Sequence, residues 1–452
     1  MPPTLSDIRF ISRHAATVLV GQLAVMAFSV TDTIVAGRFS DQSLAVLSVG
    51  SAVYVSVFVA LMGVLQALLP VWAELHGAGK PLRVGQSFRQ ALYLCAITIV
   101  IGIGLLASPG AVLRWTEVPE ALRGEIESYL AVLALALPPA LLFRMYSTLN
   151  QSLGRPMLVT TLQIGSLFVK VPLSIWFTFG GLGLQPQGAV GCAWATLVVN
   201  YGMFAVALWM VRTRELYRPF AIWHALEVPK WRQIAEFARL GVPGGLCIMV
   251  EVTSFTLMAL FIARLGTVAS GSHQIVANLA ALLFMVPMSI SIAASSRVSF
   301  WRGAGNSEKA RAAIRLAFKM VVSTSLFFSG SLFFAREIVL PIYTLNPEVI
   351  AMTLPLLTWV VVFHLFDGLQ VLCIFVLRSF RVAIAPLFVY TVLLWGGGLG
   401  GGYMLAYHGL GPWPAMGAAA AFWIASTASL GATAAILSLI LFTVAKRELR
   451  AR

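Results

Sequence analysis

RGAGNSEKARAAIR, residues 302–315, lies over HGAGKPLRVGQSFR, residues 76–89, when the chain is laid on itself with a shift of half its length. Gly77, Ala78 and Gly79 then match Gly303, Ala304 and Gly305, and Arg89 matches Arg315. The same shift pairs Arg38 with Arg264, Gly183 and Leu184 with Gly409 and Leu410, and Gly191 with Gly417. One offset serving several separated places marks an internal repeat. The chain therefore reads as two copies of one unit, and the residues between these landmarks say what the unit is.

Those residues are overwhelmingly apolar. With 59% hydrophobic and 11% charged residues and a mean hydropathy of +0.88, the composition lies far outside soluble usage and describes an integral membrane protein. The amino terminus, PPTLSDIRFISRH, runs into a full-length apolar segment rather than a short apolar core with a small-residue cleavage site. The chain is thus expected to enter the membrane with its own first helix.

Runs long enough to cross a hydrocarbon core of roughly 30 Å number about twelve. They fall near 15–37, 44–70, 88–109, 128–149, 157–179, 188–211, 236–263, 274–300, 312–335, 351–377, 384–407 and 415–444. None shows the alternation of about ten-residue barrel strands, so the fold is an all-α polytopic bundle.

The net charge of +14 does not call for nucleic acid. Of the 31 Lys and Arg residues, about 25 lie at the amino terminus, in every second loop and at the carboxyl terminus. The alternate loops hold Arg38, Arg114, Arg123, Arg264 and Arg336. This asymmetry puts both termini in the cytoplasm. Because each repeat then holds an even number of helices, the halves are parallel six-helix bundles related by a pseudo-two-fold axis along the membrane normal. Residues 1–217 form the first bundle, 218–235 a cytoplasmic linker and 236–452 the second.

Paired bundles of this kind suit alternating access, with a site between the halves near the midplane. The four cysteines, Cys95, Cys192, Cys247 and Cys373, sit singly in predicted helices and show no metal or disulfide spacing. No GxxxxGK[ST] loop is present, since GAGKP at 77–81 lacks both the spacing and the following hydroxyl. Transport would then draw on an ion gradient or a separate motor, with no cofactor.

Most of the 17 acids fall in loops or at helix ends, but Asp32, Glu251 and Asp367 lie inside predicted spans. A charge at the bilayer centre costs at least ~2.5–3.5 kcal/mol, so such residues mark function, while the structural alternative is a satisfied interhelical hydrogen bond. Glu251 has Ser254 three residues on, Asp32 has Ser29 three residues back, and His364, Asp367 and Gln370 share one helix face. Carboxylate, hydroxyl and amide oxygens suit a hard monovalent cation or a proton, which makes Glu251 and Asp367 candidate Na+ ligands. Lys170 is the single basic residue deep in a span, a candidate partner of one of the acids or a charge displaced by cationic substrate.

At these residues the chain resembles the multidrug and toxic compound extrusion (MATE) family, in its NorM-type branch. The likeness is strongest in GVPGGLCIMVEVTSF (241–255) and GSHQIVANLAALLFMVPMSIS (271–291), with support from FHLFDGLQVL (363–372) and LNQSLGRPML (149–158). It implies multidrug efflux by antiport: a small lipophilic or cationic compound leaves as Na+ or H+ enters. By the same resemblance Glu251 and Asp367 match the cation-linked acids, Asp32 matches the acid of the first helix and joins them as a cation-coupling candidate, and Gln274 and Asn278 match polar residues that line the cavity. Lys170 and Ser174 stand where Asn is common in the family, a departure that favours proton coupling or an altered substrate charge. His364 and Ser254 complete the expected polar lining. The expected setting is a bacterial inner membrane, as a monomer among lipids. A lipid-linked saccharide flippase of the same superfamily and a channel are the competing readings. A membrane enzyme is disfavoured because no HExxH, GxSxG or Cys/His arrangement is present.

Overall fold

The computed structural model describes residues 5–110, 119–181 and 183–449, nearly all of them helical. Arg114 of the alternate loops lies outside these residues, as do Arg450 and Arg452 of the basic carboxyl terminus. Among the described residues twelve helices are long and apolar enough to cross a membrane. In chain order they are α1 Ser6–Phe39, α2 Asp41–Gly77, α3 Pro81–Ala107, α4 Glu120–Ser152, α5 Met157–Phe179 and α6 Gly188–Thr213. The second series is α7 Trp231–Ala263, α8 Thr267–Gly303, α9 Ser307–Tyr343, α10 Pro347–Ser379, α11 Ile384–Tyr407 and α12 Ala420–Glu448.

Breaks and ends follow from local chemistry. α2 turns at Ala67 and Leu68, just before Pro70, whose missing N–H and ring cannot continue the ladder. α9 starts on Asn306 and α10 on Asn346, each side chain accepting a backbone N–H of the first turn, from Lys309 at 2.9 Å and Glu348 at 3.0 Å. The repeated Gly-Ala-Gly is a helix stop. Gly79 (φ 67°) and Gly305 (φ 70°) adopt the left-handed conformation that glycine enters without steric penalty. Behind them Lys80 N donates to Leu75 O at 3.1 Å and Asn306 N to Trp301 O at 2.9 Å, closing α2 and α8 in the same way.

The packing repeats too. α4 lies against α2, α3 and α6, and α5 against α6. α10 lies against α8, α9 and α12, and α11 against α12. α4 and α10 are accordingly the most buried spans of their halves. The repeat differs from expectation at the far ends of the bundles. The hairpin bridged by Gly181 and Leu184 corresponds to the one bridged by Leu410 and Trp413, so Gly180 (φ 77°) and Gly188 (φ 53°) answer to Gly409 (φ 84°) and Gly417 (φ 58°). The pairings of Gly183-Leu184 and Gly191 by the original shift are therefore corrected. Three further residues in the second half displace the hairpin from that register.

The chain divides into two compact units, Thr17–Gly245 and Met1–Ala16 with Leu246–Arg452, so the divisions fall inside α1 and α7. In the second unit, Asp7 accepts from Arg297 Nε at 2.7 Å and Trp301 Nε1 at 3.2 Å, and the Arg297 guanidinium lies 4.6 Å from the Phe10 ring centroid. These contacts fasten the start of α1 to the end of α8.

In the first unit the segment expected to be the linker is clamped onto α3. Arg89 donates to Ala221 O at 2.5 Å and to Glu227 Oε1 at 2.7 Å, while Gln86 donates to Glu227 Oε2 at 2.8 Å. Gln90 and Tyr93 hold the Val228 and Glu227 carbonyls. A side chain at Gly85 would overlap the Phe220 carbonyl oxygen, which explains the glycine there. Hydrogen bonds from Arg89, then Gln86, hold the Glu227 carboxyl below its ordinary value of 4.5. Docking that depends on a depressed carboxylate is fully present above the ordinary value and is lost as pH falls through the lower, docked one. Hydrogen exchange should therefore show the linker amides protected at neutral pH and released in that acidic window, with Arg89→Met removing most of the protection at every pH.

Candidate functional site

Two acid sites stand in the structure, one in each unit. In the second unit α7 carries Glu251 and Ser254 one helical turn apart, and α10 brings Asp367 to the same cavity. Gly368, next to Asp367, lets α10 pack tightly on α8 and α9: an added Cβ would meet Ser325 Oγ at 2.9 Å, Val321 Cγ1 at 3.0 Å and Pro287 Cβ at 3.2 Å. α11 supplies Tyr390 and α12 supplies Ser426.

The Tyr390 hydroxyl donates to the Glu251 carboxylate. Gln370 Nε2 donates to Asp367 Oδ1 at 3.1 Å, one turn along α10. Just after Tyr390, the glycine-rich stretch Val392–Gly400 widens into a π-helix, a form that concentrates at functional sites. Trp395 Nε1 donates to Val250 O at 3.2 Å, tying that stretch to α7 beside Glu251.

The remaining walls are apolar, made by Phe255, Met258, Phe363, Leu394 and Leu430. Phe255 and Phe363 rest on the fully buried Trp423, with ring centroids 6.3 and 5.3 Å from it. The room among these residues, about 10 Å³ for the centre of a water-sized sphere, is that of a single water. Two carboxylates, three hydroxyls and no basic side chain line it. Among the described residues no three His, Cys, Asp or Glu side chains gather as a metal site, and the side-chain oxygens that line the cavity beside the two acids are the hydroxyls of Ser254, Tyr390 and Ser426. Such a set fits a hard monovalent cation or a proton, and the room is too small for an organic compound.

In the first unit α1 brings Asp32 to α5 and α6. Lys170 Nζ lies 2.8 Å from Asp32 Oδ1 and donates to Cys192 O at 3.0 Å and Thr196 Oγ1 at 2.7 Å. Ser174 Oγ donates to Asp32 Oδ1 at 3.0 Å. Lys170 and Ser174 are fully buried. The hydroxyl that meets Asp32 is thus Ser174 of α5 and not Ser29, which is exposed on its own helix. Lys170 pairs with Asp32, and every partner of its ammonium belongs to Thr17–Gly245.

The other expected residues fall apart from these sites. Gln274 and Asn278 are exposed one turn apart on α8 and do not line the small cavity. His364 is buried on α10 with Nε2 lacking a partner among the described residues, one turn from Asp367 but outside the cavity lining. Tyr390, Ser426, Cys192 and Thr196 were not singled out from the sequence. Tyr390, Cys192 and Thr196 meet an acid or its partner across a helix–helix contact, and Ser426 lines the cavity from another helix, so spacing along one helix carries no sign of them.

Comparison with known proteins gives one consistent result. The MatE family model matches residues 18–176 and 243–404. The chain is 35% identical over 429 residues to the probable multidrug resistance protein NorM of Aromatoleum aromaticum, spanning 95% of this chain and 91% of that one. It is 30% identical to the multidrug resistance protein MdtK of Yersinia pseudotuberculosis, over 98% of this chain and 96% of that one. In fold it resembles the eukaryotic MATE transporter AtDTX14, at a TM-score of 0.86 and 18% identity covering 99% of both chains. It also resembles the Vibrio cholerae MATE transporter VcmN in the bent form, at a TM-score of 0.82 and 16% identity covering 98% of both chains.

Proposed function

The chain belongs to the MatE family, and from that premise we propose that it exports small lipophilic or cationic organic compounds in exchange for Na+ or H+. The observation that carries the coupling is the cavity around Glu251 and Asp367: two carboxylates, no basic side chain in the lining, and room for one ion. Two negative charges in so small an apolar-walled space repel each other and lack solvent, so a cation or proton entering between them is strongly favoured. Ion entry then stabilises the closed cavity. A cationic substrate reaching the same carboxylates when the cavity opens competes with the ion, so each promotes release of the other. The nearby Phe and Met side chains offer a lining that repacks around dissimilar compounds.

In this reading 1–217 and 236–452 act as the two halves of an alternating-access transporter, joined by 218–235. The protein resides in a bacterial inner membrane as a monomer with both termini in the cytoplasm, and it is a transporter rather than an enzyme.

Cells stripped of their own exporters and expressing this chain should retain several-fold less of a fluorescent lipophilic cation than control cells. Retention should return to the control level when the coupling gradient is collapsed with an ionophore specific for Na+ or for H+. Efflux that persists with both gradients collapsed would rule the antiport reading out.

A further inference from the structure

The two acid sites differ in one respect that bears on how many ions are exchanged. The cavity of Glu251 and Asp367 has no basic residue in its lining, whereas Asp32 is met directly by a fully buried ammonium. Lys170 Nζ contacts Asp32 Oδ1 at 2.8 Å, Thr196 Oγ1 at 2.7 Å and Cys192 O at 3.0 Å. An ammonium has three N–H groups and no acceptor, so these contacts account for every donor it has. Carboxylate, hydroxyl and carbonyl oxygens are also what a hard monovalent cation coordinates. The nitrogen therefore stands where such an ion would stand.

We propose that the Lys170 ammonium is a tethered cation that permanently fills the ion position at Asp32. The first half is thereby a charge-neutral, self-liganded site, and the ion exchanged in each turnover is handled by Glu251 and Asp367 alone. This rests on the export reading and deepens it, because it fixes which acids set the ion-to-substrate ratio and the charge met by the substrate. A bare Asp32 would add one exchangeable cation and would attract cationic substrate. Paired with Lys170 it does neither, since the internal ammonium is tethered at high local concentration and cannot diffuse away.

The experiment counts cations per purified chain at equilibrium, as bound radioactive Na+ at fixed pH and as protons taken up when pH is lowered without Na+. The parent is compared with Lys170→Asn and with Asp32→Asn/Lys170→Asn. The expected result is one additional cation or proton in Lys170→Asn, and the parent's count in the double variant. Should Lys170→Asn fail to fold, the double variant still decides, because it removes both charges together. An unchanged count in folded Lys170→Asn, or a lower count in the double variant than in the parent, overturns the proposal. Gradient-driven export by the parent in proteoliposomes is measured alongside. Its absence would refute the export reading, whereas the count refutes only the tethered cation.

Discussion

Asp32→Asn is expected to destabilise the chain by about 3–5 kcal/mol, the range for breaking a buried ion pair by removing one partner. The cost comes less from the lost attraction than from the charge left behind. Lys170 is fully buried, and its other two contacts, Cys192 O and Thr196 Oγ1, are uncharged. An unpaired Lys170 has no counter-charge to recruit, while an unpaired Asp32 can take up a cation or proton. Asp32→Asn should therefore be the more damaging single change. Asp32→Asn/Lys170→Asn should recover most of the loss, giving a strongly favourable coupling in the double-mutant cycle. Thermal unfolding in detergent checks this. Equal midpoints for the parent and Asp32→Asn would show that leaving Lys170 buried without its counter-charge carries no such cost.

What the residues disclosed in advance, and what they did not, follows from the range over which a sequence pattern acts. Gly79 and Gly305 were legible as a repeat because both end a helix in a left-handed conformation that favours glycine. The twelve spans were legible because a membrane-crossing helix has a length and an apolar content of its own. The Gln370 to Asp367 hydrogen bond and the shared cavity of Glu251 and Ser254 follow from spacing on one helix. Contacts between helices carry no such spacing. Local reading gave Asp32 the exposed Ser29 as its hydroxyl, and the structure supplies Ser174, from a helix far along the chain. Tyr390 and Ser426 went unnoticed for the same reason. The shift that holds at Gly-Ala-Gly misplaces the hairpin bridged by Leu410 and Trp413, because three additional residues precede it in the second half.

Glu251→Gln is expected to abolish the linkage between ion and substrate. Coupling free energies of about 1–3 kcal/mol make one ligand alter the affinity of the other by about 5–150-fold, and that factor should fall to about one. The glutamine keeps the size of the side chain and can still accept from Tyr390, so the cavity of Glu251, Asp367, Ser254 and Ser426 is preserved in shape. Its charge is not. One carboxylate then remains among the oxygens, the repulsion that favours cation entry is gone, and an amide competes poorly with water for the ion. Substrate release no longer depends on ion arrival.

The decisive measurement is efflux of a fluorescent lipophilic cation from proteoliposomes, with Na+ and H+ gradients imposed separately, for the parent and for Glu251→Gln. The account predicts that one gradient drives export by the parent, and that Glu251→Gln, inserted to the same level, exports no faster with that gradient than without it. Gradient-driven export that survives Glu251→Gln undiminished would contradict the assignment of the coupling ion to the Glu251 and Asp367 cavity.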